Sequence, residues 1–284
     1  MHSRQPELYC AALIPYTAAA VALGLRLLAR HKTNVRLEWE DYLSIVSFLF
    51  GTVYTAFALY KMRWGFGLSM STIPMPVNEI ERKFFREQWI DMWFYTFSLG
   101  LSKFVILGLY WRLFSRSIIR QPVRILAGLN SCWILLRVIL ALLLCQPISK
   151  AWNPDIPDIC SISPTFFLFA TLIPHLLIEI GCVICPMVVI KTLQLRQNQK
   201  IAVGAMFASG FLVCASVLHS LIYTVTLNPK SPDLSLDGAN VQIWSVCDVN
   251  LAHFSTSLPL LRPALQSFGG FFSTMFSTSL RSTA

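Results

Sequence analysis

The residues best suited to acid–base chemistry here are His175, Glu179 and Asp248, each set inside an otherwise apolar run. His175 and Glu179 are four apart, which places them on one face of a helix. Asp248 and His253 are five apart and fall on different faces. Lys103, Arg137, His219 and Asn250 complete the set of deep polar residues. Charges are costly in hydrocarbon and turn toward protein or a wet cavity. Two readings follow. In the first, Lys103 or Arg137 pairs with Glu179 or Asp248 to hold helices together, and the histidines satisfy backbone carbonyls. In the second, Glu179, Asp248 and His175 surround a cavity, where a desolvated carboxyl keeps its proton and can pass it to a substrate.

The elements that must position these groups are apolar and long. The central one is Trp89 to Phe114, a bilayer's worth of helix with Lys103 well inside it. Around it the sequence predicts helices near Leu8–Leu28, Asp41–Tyr60, Ile125–Leu144, Thr165–Ile190, Ile201–Leu227 and Val241–Leu261. Asp41, in the acidic run after Trp39, is placed to cap the second helix. The mixed-charge stretch Glu79 to Glu87 reads as a separate short helix at the interface. The reading is an all-α, seven-helix membrane bundle over residues 1–265, with a short cytoplasmic tail at 266–284.

Composition agrees. The chain is 55% hydrophobic and only 13% charged, against roughly a quarter charged in soluble domains. Its net charge of +9 does not imply nucleic acid, because the Lys and Arg residues cluster in short turns between apolar runs. Such clusters set topology. Arg26, Arg30, Lys32, Arg36, Arg112, Arg116, Arg120, Arg124, Lys191, Arg196 and Lys200 share one side with the tail. That side is read as cytoplasmic, which leaves the N-terminus outside or lumenal.

Several chemistries lack their residues. The pair Cys182 and Cys185 has CxxC spacing but stands alone in an apolar run, so no metal site is expected. There is no Gly-rich phosphate loop. The last helix has no lysine to form a Schiff base, and Lys103 is the single deep lysine, so neither retinal nor another cofactor is expected. Cys145 and Cys160 flank a Pro-rich outer loop that carries Trp152. At the membrane edge on an oxidising side they are placed to form a disulfide, with Trp152 as an interfacial anchor.

A series of motifs runs in order along nearly the whole chain. They are Arg26, Glu40-Asp41-Tyr42-Leu43, Gly65-Phe66-Gly67, Lys103, Tyr110-Trp111-Arg112-Leu113-Phe114 and Cys145-Gln146-Pro147 with Trp152 and Cys160. Trp244-Ser245 through Asp248 and Asn250, and Leu258-Pro259 to Arg262-Pro263, continue the pattern, and together these motifs resemble those of the fungal rhodopsin-like integral membrane proteins, which include Pth-type receptor-like and satratoxin-cluster members. Glu179 stands where the family usually has Asp, and His219 where Arg is common. The resemblance implies a multi-pass protein of the plasma membrane or an endomembrane. It also implies a receptor-like or accessory protein of specialised metabolism that binds a small apolar molecule. An acid-catalysed cyclase or isomerase is the alternative, and a transporter comes third. Nothing in the sequence bears on G-protein coupling.

Overall fold

A computed structural model describes residues 3–113, 117–153, 156, 160–190, 197–226 and 233–281. Seven helices follow one another: α1 Gln5–Lys32, α2 Trp39–Lys61, α3 Val77–Leu113, α4 Ser117–Leu142, α5 Pro164–Ile190, α6 Gln197–Thr226 and α7 Leu234–Arg281. Neighbours in sequence are neighbours in space, and α1 packs along α7 to close the ring. α3 runs through it, touching α2, α4, α5 and α7. It is the most buried of the spans, at 67% of its apolar stretch against 22% for α1.

Six of the helices, α1 to α6, are long and apolar enough among the described residues to cross a membrane. Their outer faces carry Ile14, Leu129, Leu177, Phe211 and Val225, all exposed. In water such a surface would be an aggregation hazard, but in a bilayer these side chains meet acyl chains. The chain is therefore a multi-pass membrane protein in contact with lipid.

One expectation changes. The stretch Glu79 to Glu87 is not a separate helix, because α3 runs unbroken from Val77 to Leu113. Pro76 precedes it, and no proline or glycine falls between Val77 and Trp93 to break it. At 1.5 Å per residue α3 is roughly 55 Å long, more than a bilayer core needs, so it projects past the hydrocarbon. Glu87 in this extension accepts a hydrogen bond from Trp64 Nε1 at 2.9 Å.

The basic residues Arg26 and Arg30 also have a partner within the bundle. Both are buried and bind Asp41, Arg26 at 2.8 Å and Arg30 at 3.1 Å. Arg26 also donates to the Thr256 carbonyl of α7 at 3.1 Å. Asp41 accepts from the Glu38 backbone N–H at 3.1 Å, so one carboxylate starts α2 and locks α1 to it.

At the opposite end, Gly65 and Gly67 have φ of 104° and 85°, which only glycine adopts without strain. Their turn brings Gly67 N–H onto Ser235 Oγ at 3.0 Å and Gly67 O under Arg4 N–H at 2.9 Å. The α2–α3 connection is thereby tied to the starts of α1 and α7, with Phe66 fully buried beneath.

Candidate functional site

The deep polar residues gather on α3, α4, α5 and α7. Lys103 on α3 binds Glu179 on α5 at 3.0 Å and donates to His175 Nδ1 at 2.5 Å. The other ring nitrogen of His175 lies 3.1 Å from Asp248 Oδ2 on α7. With Lys103 donating to Nδ1, Nε2 carries the proton and donates to Asp248. Tyr95 of α3 donates to the same Asp248 oxygen at 2.8 Å. A continuous chain thus runs Glu179, Lys103, His175, Asp248, Tyr95, with every member buried.

One helical turn apart on α4, Trp133 and Arg137 form the wall beside this chain. Trp133 stacks on His175 with ring centroids 5.2 Å apart and donates to the Thr171 carbonyl at 2.8 Å. The Arg137 guanidinium lies over Tyr95 (4.8 Å), Phe167 (5.4 Å) and Trp133 (5.5 Å). Its Nε donates to Thr96 Oγ1 at 2.9 Å and its Nη1 to Thr171 Oγ1 at 3.1 Å. Among the described residues no carboxylate lies within ion-pair reach of it.

Above Tyr95 and Arg137 a cavity of about 380 Å³ opens toward the α4–α5 connection. That volume suits a small organic molecule. Its wall is mainly apolar, with Phe84, Met92, Leu168 and Leu172 among the lining residues. Cys145 and Cys160, joined in a disulfide with Cα atoms 4.1 Å apart, line its rim with Lys150 and Trp152. Trp152 packs on Trp89 at 5.4 Å as part of this rim. His175, Asp248 and Glu179 lie below the cavity and do not line it, whereas Tyr95 does.

The remaining sequence candidates sit elsewhere. His253 bridges α2 and α3, contacting Ser47 Oγ at 3.2 Å and Ser98 Oγ at 2.8 Å. Asn250 donates to Thr55 Oγ1 at 3.2 Å and ties α7 to α2. His219 is exposed, stacks on Trp244 at 4.2 Å and bonds the Ala215 carbonyl of its own helix. Cys182 and Cys185 are buried free thiols, and no cluster among the described residues could hold a metal.

Sequence reasoning missed Tyr95, Tyr54 and the buried pair Lys61–Asp91, which Gln88 and Gln242 surround. Asp91 and Gln242 line the cavity, and Gln242 donates to the Tyr54 hydroxyl at 3.1 Å. Tyr95 lies in an aromatic run, and Lys61 stands at a helix end, where a lysine ordinarily sets topology. The clue was spacing: Asp91 and Tyr95 are four apart and share the α3 face that the cavity uses.

The "Wortmanamides biosynthesis cluster protein C" of Talaromyces wortmannii is similar to this chain, at 24% identity over 98% of the chain and 76% of the relative. No solved structure matches the chain significantly. Residues 25–267, from the last turns of α1 into α7, match the model of the fungal rhodopsin domain, and the chain belongs to that family.

Proposed function

We infer that this is a receptor-like or accessory membrane protein of fungal specialised metabolism that binds a small, largely apolar molecule. The observation that carries the reading is the cavity itself, apolar-walled and rimmed by the disulfide-closed loop. The link to specialised metabolism rests on the similar Talaromyces protein, whose name assigns it to a biosynthesis cluster. Arg26, Arg30 and Arg112 lie at the other end of the bundle, and by the usual bias of basic residues the cavity opens on the outer or lumenal side.

The test is to delete the gene in its host and profile metabolites, then to recover small molecules bound to the purified bundle. The expected result is a profile without one accumulated precursor, and an apolar molecule carried by the wild-type protein. Ala151→Trp, which places bulk at the cavity rim, should carry less of it. If the bundle carries nothing, the binding reading fails.

One observation favours a second reading, that of an acid-type isomerase or cyclase. Tyr95 joins the cavity floor to the chain of Asp248, His175, Lys103 and Glu179, a route along which a proton could be supplied. A precursor that accumulates on deletion, and is consumed again with wild type but not with well-expressed Glu179→Gln or Asp248→Asn, would establish it.

A further inference from the structure

We propose that the cavity takes an apolar molecule bearing a carboxylate, and that Arg137 receives that carboxylate. The proposal rests on the small-molecule reading above and narrows it to a chemical class.

The argument starts from the charges on the cavity wall. Its charged lining residues are Asp91, Arg137 and Lys150. Asp91 is already bound by Lys61 from α2. The anion of this wall is therefore already paired. Lys150 stands at the rim, where it donates to the Ile156 carbonyl. Arg137 is the inner cation, 5% exposed, with neutral hydroxyls and aromatic rings as its neighbours.

Other buried cations in the bundle are treated differently. Arg26 and Arg30 share Asp41, and Lys103 has Glu179. Asp248 does not serve Arg137 in the same way. Its Oδ2 bonds Tyr95 and His175, its Oδ1 has no hydrogen-bond partner among the described residues, and the Tyr95 ring is what the guanidinium covers. Two of the three guanidinium nitrogens of Arg137 are bonded to threonines, and Nη2 has no partner among the described residues.

A buried cation without a contacting anion gains most from a ligand that brings one. A carboxylate fits because a guanidinium offers planar, paired donors. Trp89 also lines this wall, and its buried Nε1 has no partner among the described residues. The aromatic and aliphatic remainder of the wall suits the apolar body of the molecule and would not by itself admit an ion.

The experiment uses the full chain in nanodiscs of zwitterionic lipid, with empty nanodiscs as background. Radiolabelled dodecanoate is the probe, and other straight-chain fatty acids and all the methyl esters compete with it. In wild type the acids should compete at least about tenfold better than their esters, the worth of one charge-assisted hydrogen bond. In Arg137→Gln the preference should vanish, and Arg137→Lys should keep part of it. Equal competition by acids and esters in wild type overturns the proposal while leaving the apolar-ligand reading standing. A preference that survives in Arg137→Gln also overturns it. Should Arg137→Gln fail to accumulate, Arg137→Lys decides, and a preference there as large as in wild type overturns the proposal. If neither acids nor esters bind anywhere in the series, the proposal and the reading beneath it fail together.

Discussion

Arg26 and Arg137 are both buried guanidiniums, and their surroundings differ in one respect. Arg26 is fully buried against Asp41, with Nε and Nη2 on the same carboxylate oxygen at 3.0 and 2.8 Å. Arg137 is buried against threonines and aromatic rings, beside a cavity. The first arrangement is complete without a ligand. The second leaves a donor over. A buried charge satisfied within the fold holds helices together, whereas one left facing a cavity has a reason to bind something.

The contrast is broken most directly at Asp41. Asp41→Asn removes the anion that both Arg26 and Arg30 use and leaves two buried cations uncompensated. The expected loss is about 3–5 kcal/mol, seen as poor accumulation and a lowered unfolding temperature in detergent. Arg26→Met should cost less, because Asp41 keeps Arg30. Equal losses from the two variants would show that the carboxylate is not the shared anchor.

The second effect lies at the cavity rim. Cys145→Ser with Cys160→Ser opens a loop of fifteen residues' separation, for which chain entropy gives about 3 kcal/mol. Thermal unfolding should show the loss. Captured ligand should also dissociate faster from the variant, since the disulfide lines the cavity. A stability loss with unchanged dissociation would separate the rim from the binding site.

Arg137 should be cheaper to remove than Asp41. Arg137→Met gives up two interhelical hydrogen bonds but orphans no carboxylate. Bonds of that kind contribute about 0.6 kcal/mol each in membrane bundles, so a loss of about 1–2 kcal/mol is expected in the same unfolding assay. A loss as large as that of Asp41→Asn would make Arg137 a structural residue like Arg26.

The same contrast explains what the sequence made legible. The helices were readable because a bilayer allows few alternatives: long apolar runs must satisfy their own backbone. Lys103, His175, Glu179 and Asp248 were readable for the same reason, and they do contact one another in a chain. Their partners were not. Arg26 and Asp41 are separated by a turn, and each looked like ordinary punctuation at a helix end. Lys61 and Asp91 lie thirty residues apart on different helices, so only the fold brings them together. His219 shows the rule failing the other way, because α6 turns it outward onto Trp244. The continuity of α3 was hidden by its charged first turns, which resemble an interfacial helix until Glu87 and Asp91 find Trp64 and Lys61.

The smallest expected effect decides most about mechanism. Tyr95 touches both sides of the comparison: its ring lies under Arg137, and its hydroxyl donates to Asp248. Tyr95→Phe removes the second contact and keeps the first. One interhelical hydrogen bond in a membrane bundle is worth about 0.6 kcal/mol, so the protein should fold and unfold almost as wild type. If the cavity only binds, ligand affinity should change by no more than about twofold, because the ring and the guanidinium stay in place. If the buried chain supplies a proton, the same substitution cuts its contact with the cavity floor, and product should disappear while binding persists. Retained binding together with unchanged metabolite output would confine the chain to holding α3, α5 and α7 together.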